Sequence, residues 1–529
     1  MVTLATGRTR RRAALIAALG LGAGALSCRS SEQAPATERV ATALTNAGPT
    51  DSNTVLRVEG AVSCSGILAA NQWALTARHC LSPEVIADPH KITIAMGGTR
   101  GDPAQTTAVA EVITSPRGLD LALLRLSAPL VVAGVPYGFL LRIYPRPSYY
   151  LRDMSGQMQC VGWGVAGPQA ATTDQPSSAT MVFKSITPPL LRLVPSAPVD
   201  QHVAAGDAGG GCYPGNGVIG MLVGMGGDGA SIAIDLTQPA IRTWIESTLV
   251  ARDPDLPASA ASPVGAATAD GQVIDLFWVD GGGAMNQTRL AADGGSSNVS
   301  LGAATGDAFA PSRPAAVHFN GDLHVLGRSG SGAVMEQTSP TSAPLGASGS
   351  WTAVPGLPPV TSGIGIASWQ TDRYDIFART AAGPITHGYW GGTWQVENIG
   401  GMSDFDVLGT ASDIGTMHIF AVVGTSVIHK STTGGFWDGS VTAWTNWDVT
   451  GALASACSAV SPDYTTIDLF GRAPNGHLAH KAFSNGWVDD FLDLGIDVPG
   501  EPTAIIAGAR VHIFARNPDG SIWHAHLPR

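Results

Sequence analysis

The chain is predicted to be all-β and built in two domains, the second of them a β-propeller. Three observations carry this. Six short apolar segments recur through the C-terminal half at intervals of 43 to 51 residues, a period that belongs to stacked four-stranded units. The N-terminal half has its own series of apolar strands, interrupted by glycine-rich loops and two pairs of cysteines. The 529 residues include 66 Gly, 44% hydrophobic and only 13% charged residues, which describes a turn-rich, well-packed chain and excludes a disordered one. The net charge is -11 and no basic run follows residue 12, so no nucleic-acid partner is expected.

The amino terminus reads as an address. Arg8-Thr-Arg-Arg-Arg12 precedes an uncharged apolar stretch, Ala13 to Leu26, the pattern of a secretory signal too short to span a bilayer. It ends at Ala25-Leu26-Ser27-Cys28, which resembles a bacterial lipoprotein cleavage box. Residues 1–28 are therefore expected to be a signal peptide. Cys28 is the expected lipidation site and membrane anchor, and the protein is expected to be exported to the cell envelope, at the outer membrane or surface. A soluble secreted form that discards Cys28 is the alternative. Residues 29–53 and 251–263, rich in Ser, Ala, Pro and Thr or Asp, read as flexible linkers. They bound domains at 54–250 and 264–529.

The first domain carries four motifs in order. Trp73-Ala-Leu-Thr-Ala-Arg-His79-Cys80 runs an apolar strand into a His beside a Cys, with Cys64 placed to staple that loop in an exported protein. Leu119-Asp120-Leu-Ala-Leu-Leu opens an apolar strand on a carboxylate, which is expected to be buried and in need of a partner. Cys160-Val-Gly-Trp163-Gly164 marks a tight turn. Gly206-Asp207-Ala208-Gly209-Gly210 is a loop in which backbone N–H groups can converge on an oxyanion. Thr237 to Leu249 adds a helix, with Thr as cap, Pro239 early and an apolar stripe at Ile241, Trp244, Ile245 and Leu249.

Together these motifs resemble the trypsin/chymotrypsin family of serine endopeptidases over residues 54–250. The resemblance implies a double β-barrel of two six-stranded antiparallel barrels with the site between them, closed by a C-terminal helix. It implies His79 as general base, Asp120 as the group that orients it, and the N–H groups of Gly206 and Ala208 as the oxyanion hole. It favours Cys160–Cys212 beside Cys64–Cys80, leaving Cys457 as a small buried hydrophobe. By the same alignment of loops, His202 would lie at the base of a substrate pocket walled by Gly224 and Gly226. The nucleophile position departs from the family: Ala208 stands where the family has Ser, and no residue from Val203 to Gly211 offers a hydroxyl. A methyl group cannot attack a carbonyl. The family also matures at an Ile-Val-Gly-Gly segment whose new amino group pairs with the Asp before the nucleophile. No such segment precedes Cys64, so the partner of Asp207 is open.

In the second domain the repeats are Ile274-Asp-Leu-Phe277, Leu323-His-Val-Leu326, Tyr374-Asp-Ile-Phe377, Met417-His-Ile-Phe420, Ile467-Asp-Leu-Phe470 and Val511-His-Ile-Phe514. Position two is always Asp or His and is expected to face away from its apolar neighbours. Asn475-Gly476 and Asp519-Gly520 supply hairpin turns. Six blades are visible, with a seventh conceivable in a degenerate stretch and a solenoid as the competing architecture. The run Phe514-Ala-Arg-Asn-Pro-Asp-Gly-Ser-Ile-Trp-His524 resembles bacterial fucose-binding and tachylectin-like propeller lectins. The resemblance implies glycan binding, with no residue assigned to it. Ten of 13 Trp lie in this half, where each is either a sugar-stacking surface or inter-blade packing. No zinc pair, calcium loop or phosphate loop appears, so no metal or cofactor is expected.

The function expected from the sequence is an exported pseudoprotease that binds a peptide or protein in a protease-like cleft and a glycan at its propeller. Two alternatives stand beside it. One is a working serine endopeptidase targeted by the propeller, should Ala208 be an engineered change; the other is a surface adhesin.

Overall fold

The computed structural model describes residues 48–49 and 55–528 apart from short internal stretches, the longest being 133–142, 165–173 and 433–443. The expected signal peptide, Cys28 and nearly all of the first linker lie outside the described residues.

Twelve strands close two barrels of the same winding. In the first, β1 (Val55–Glu59), β2 (Ser63–Ala70), β3 (Trp73–Thr76), β4 (Thr93–Gly98), β5 (Pro103–Thr114) and β6 (Ala122–Leu126) join in the order β1-β2-β3-β6-β5-β4. In the second, β7 (Gln157–Gly162), β8 (Ser177–Thr187), β9 (Leu190–Pro195), β10 (Gly211–Tyr213), β11 (Gly220–Met225) and β12 (Ser231–Asp235) join as β7-β8-β9-β12-β11-β10, and β7–β8 pairing closes the ring. Inward residues such as Leu56, Ile67, Leu75 and Leu123 are fully buried, and closure leaves no free sheet edge.

Helix α1 (Pro239–Leu249) follows β12 and ties the two barrels together. Its Ile241, Ile245 and Leu249 enter the core of the first barrel, alongside Met221 and Ile234 from the second. Pro239 sits in the first turn, where its missing N–H costs nothing. The expected Thr cap is absent: Gln238 is the N-cap and makes no side-chain capping bond. Thr237 is used elsewhere, its Oγ1 donating to Asp235 Oδ1 at 2.6 Å and accepting the Ser148 N–H at 3.1 Å.

The second domain is six four-stranded antiparallel sheets. Their innermost strands begin at Gly265, Ala315, Gly365, Leu408, Ser458 and Thr503 and pack in a closed ring. A six-bladed propeller is therefore the architecture, and a solenoid is excluded. Residues 251–263, read from composition as a linker, are built into the propeller. Ala251–Arg252 is the outermost strand of the sixth blade, and Leu256 and Ala260 bridge to Ile522 and Asp280. Strand pairing overrides a composition that favours a tether, and the blade is closed by chain that precedes the first blade.

Six hydrophobic clusters fill the six seams between blades, and the motif residues Phe277, Phe377, Phe420, Phe470 and Phe514 are each fully buried in one of them. The eight Trp residues of this half whose side chains are described all pack into these seams. The alternation of the motif does not separate a core face from a solvent face, since Asp275, Asp375 and His418 are also buried. Each blade is covered on both sides by its neighbours, so its polar residues need partners inside the blade.

Candidate active site and the polar ladder of the propeller

The site between the barrels is held by three loops. His79 lies in the short 3-10 turn Arg78–Cys80 after β3, and the Cys64–Cys80 disulfide pins that turn to β2. Asp120 precedes β6. Its Oδ2 lies 2.6 Å from His79 Nδ1 and its Oδ1 accepts the His79 backbone N–H at 2.8 Å. A carboxylate only accepts, so Nδ1 carries the proton and Nε2 is left to the cleft. The hydrogen bond from Asp120 raises the His79 pKa above 6.5 against partial burial. Burial opposes ionisation of Asp120, yet its bonds to His79 outweigh it and hold the carboxyl below its ordinary range. Asp120 is not buried as expected: its side chain keeps 34% exposure, because it sits on the loop ahead of the apolar strand rather than within it.

The third loop is shaped by close backbone approach. Ala208 is 7% exposed and packs into the first core. Its carbonyl accepts the Ser65 N–H from β2 at 2.9 Å. Gly209 has φ +92°, and a Cβ there would stand 2.0 Å from the Ser65 carbonyl oxygen; one on Gly210 would stand 2.1 Å from that of Val161. Only glycine lets this loop wedge between the barrels. Ser65 Oγ completes the wedge, donating to Gly206 O and accepting the Trp163 N–H, both at 2.7 Å. Among the described residues no acceptor meets the N–H of Gly206 or of Ala208, a pair of donors of the kind that stabilises an oxyanion.

Asp207 is fully buried, and its partners include two backbone donors: Gly164 N–H to Oδ1 at 2.8 Å and Ala204 N–H to Oδ2 at 2.9 Å. A Cβ on Gly162 or Gly164 would come within 2.4 or 2.6 Å of this carboxylate. The two glycines of the Cys160–Gly164 motif are the floor on which Asp207 sits, a role their sequence pattern alone does not reveal. The second disulfide, Cys160–Cys212, joins β7 to β10.

His202 is partly exposed beside Val203, whose N–H donates to Ser231 Oγ at 3.3 Å. A Cβ on Gly224 would meet nothing within 4 Å. Next to Gly226 stands a group that sequence reasoning missed: Asp228, paired with Arg192 and, at 3.2 Å, with Lys184. Cys457 is buried and free, and burial pushes its thiol up to about 12.

The propeller's buried polar residues form one repeated ladder. In each blade the Asp or His of the second strand bonds a third-strand side chain: Asp275–Gln287, His324–Glu336, Asp375–His387, His418–His429, Asp468–His480 and His512–His524, all at 2.8 to 3.0 Å. In blades three to six the third-strand His also stacks on the motif Phe directly across the ladder, with centroids 4.4 to 5.0 Å apart. The second-strand residue alternates Asp, His, Asp, His, Asp, His around the ring, and in blades three to six this decides which way its third-strand His partner is shifted. His387 and His480 lie between two carboxylates each, which raise both pKa values against burial, His480 to about 9. His429 and His524 face another His, and burial pushes both down to about 4.

The outer carboxylate of the ladder comes from the fourth strand in two blades, Glu397 opposite His387 and Asp448 opposite His429, and in the sixth from Asp253, just past the fourth strand and beside His524. In the fifth blade the residue opposite His480 is Leu492, and the carboxylate is Glu246 of α1, 2.6 Å from His480 Nδ1. Between the sixth and first blades lies a cavity of about 530 Å³, with Asp253, Asp255, Gln272, Arg510 and His512 among apolar Leu256 and Leu290.

The family model described as Trypsin matches residues 42–245. Among solved structures, the chain is similar to the scabies mite inactivated protease paralogue S-D1, with 12% identity and a TM-score of 0.29 over 36% of this chain and 91% of that one. It is similar to paralogue S-I1 of the same kind at 19% identity and TM-score 0.29, over 37% and 96%. A mutant of AofleA from Arthrobotrys oligospora aligns at 13% identity and TM-score 0.41, over 53% of this chain and 86% of that one.

Proposed function

We propose that this protein is an exported pseudoprotease, in which a trypsin-like domain binds peptide without cleaving it and a propeller binds glycans. The observation that carries the reading is Ala208: the His79–Asp120 pair and the donors of Gly206 and Ala208 surround a position with no nucleophile. Loss of the nucleophile leaves about 10³–10⁴-fold over water in such a site, far below an efficient peptidase. Peptide binding would use the cleft beside His79, with His202, Gly224 and Gly226 forming the side-chain pocket. Support for the glycan part is the seam cavity near Asp253, Gln272 and Arg510, whose mixed donors, acceptors and apolar walls suit a sugar. Export and a lipid anchor at Cys28 belong to the same proposal.

The test compares the Ala208 chain with Ala208→Ser on a mixed peptide library. The Ala208 chain is expected to bind and not cleave, and the Ser variant to cleave and be blocked by a serine-directed acylating inhibitor. Efficient cleavage by the Ala208 form would overturn the reading. A targeted serine endopeptidase is the second reading, favoured by the intact His79–Asp120 pair: one hydroxyl is what the site lacks. Glycan-array binding by the whole chain tests the propeller separately.

A further inference from the structure

A cavity of about 580 Å³ lies in the seam between the second barrel and the fifth blade. Tyr149, Ile186 and Pro239 line it from the barrel side, and Ala482, Phe491 and Leu492 from the blade. Sites of this size, with apolar walls and a few polar groups at a domain junction, are the usual form of small-molecule pockets.

Its polar lining includes Gln238, Arg242, His480, Lys481 and Asp490; Lys481 Nζ already donates to the Thr450 carbonyl, and Arg242 is the group with donors to spare. The side chain is 9% exposed, and its Nε donates to Glu246 Oε1 at 2.7 Å. Among the described residues its two terminal nitrogens have no partner, and neither is fully enclosed. A desolvated guanidinium with its planar edge open favours a carboxylate bound by two parallel bonds. Of the nearby acids, Glu246 and Asp468 both bond His480, and Asp490, in the lining itself, accepts the Phe491 N–H at 2.9 Å. The apolar walls disfavour a small hydrated ion and suit an anion with an apolar body.

We propose that this seam binds an amphipathic carboxylate, an aryl-alkyl or medium-chain acid, with its head on the terminal nitrogens of Arg242 and its body against Ile186, Phe491 and Leu492. The site goes beyond peptide and glycan binding and does not depend on either. Both domains contribute to it, so occupancy would stiffen the junction.

The test is calorimetric titration of the whole chain with 4-phenylbutyrate and decanoate, each beside its primary amide. The acids are expected to bind saturably with one site and about tenfold or more tighter than the amides, the worth of a charge-assisted pair. Arg242→Gln should bring the acids to the level of the amides and leave the amides unchanged. Ala482→Trp, which fills the cavity, should abolish binding of both. Equal affinity for acid and amide, no saturable binding by any of them, or undiminished binding after Ala482→Trp would overturn the proposal. Should Arg242→Gln fail to fold, the acid-to-amide ratio of the unaltered chain and Ala482→Trp still decide it.

Discussion

Glu246 of the protease-like domain and His480 of the fifth blade meet at 2.6 Å, and Glu246 there takes the place of an acid that the blade itself lacks. Both ring nitrogens of His480 face carboxylates, Glu246 on Nδ1 and Asp468 on Nε2, so both carry protons. Arg242 braces the other oxygen of Glu246 at 2.7 Å. The side chains of Glu246 and His480 are only 13% and 7% exposed. A pair so desolvated is worth little relative to apolar residues, but costly to break from one side.

Glu246→Ala is therefore expected to cost about 3–5 kcal/mol, the range for leaving one buried charge unpaired. Leu492→Glu restores a carboxylate opposite His480, as Glu397 stands opposite His387. Added to Glu246→Ala, it should recover more than half of the loss in chemical denaturation. A loss under about 1 kcal/mol for Glu246→Ala, the worth of an exposed pair, would show that the junction does not rest on this contact.

The same pair sets a pH window. Against its burial, Arg242 and His480 hold Glu246 down at about 2, below its ordinary 4.5. Its contribution is complete above 4.5 and is lost as pH falls toward 2. Against its own burial, Glu246 and Asp468 raise His480 to about 9 from 6.5. That contribution is complete below 6.5 and is lost as pH rises through 9. Stability measured by denaturant midpoint should be greatest between 4.5 and 6.5. The fall above 6.5 should shrink in a Glu246→Gln variant, where His480 has less reason to stay charged.

Much of this was legible in the sequence, for a physical reason. The barrels and blades announce themselves through strand periodicity and through residues with a fixed chemical duty: His79 beside a stapling cysteine, the Gly209-Gly210 pair and the six Phe-bearing or Leu-bearing strands. What was not legible depends on contacts between distant segments. Composition alone made 251–263 a linker, but its main chain completes the sixth blade. The partners of Asp207 carry no sequence signal, because the donors at Gly164 and Ala204 are ordinary backbone groups. The alternation of Asp and His is visible at position two, yet its meaning appears only once the third-strand side chain, twelve or so residues on, is hydrogen-bonded to it. Nothing local to Glu246 marks it as a ladder residue of a blade 234 positions away.

Gly209 tests the wedge between the barrels. Its φ of +92° is strained for any residue with a Cβ, and that Cβ would overlap the Ser65 carbonyl at 2.0 Å and Thr76 Oγ1 at 2.6 Å. Neither neighbour can yield, because Thr76 Oγ1 donates to Ser65 O at 2.7 Å within paired strands. Gly209→Ala should exceed the ~0.5–3 kcal/mol of an ordinary substitution. Gly227→Ala, where a Cβ meets nothing within 4 Å, is the control and should stay within about 0.5 kcal/mol. Equal midpoints for the two variants would show that the loop has room to shift.

The last prediction concerns the His79–Asp120 pair, which needs no nucleophile to be observed. Hydrogen bonding to Asp120 raises the ring's pKa above 6.5, so by NMR its titration midpoint should lie above that value and fall in Asp120→Asn. In an Ala208→Ser variant the ring must be neutral to take the hydroxyl proton. Its kcat/KM should therefore rise with pH along a limb whose midpoint matches the NMR value. Asp120→Asn on that background should cost activity by about 10⁴, since the amide no longer fixes the tautomer that leaves Nε2 free. The two measurements bind the chemistry to the geometry. A limb that ignores the ring's own midpoint would mean that His79 is not the base. A midpoint unmoved by Asp120→Asn would mean that the 2.6 Å bond does not govern the ring.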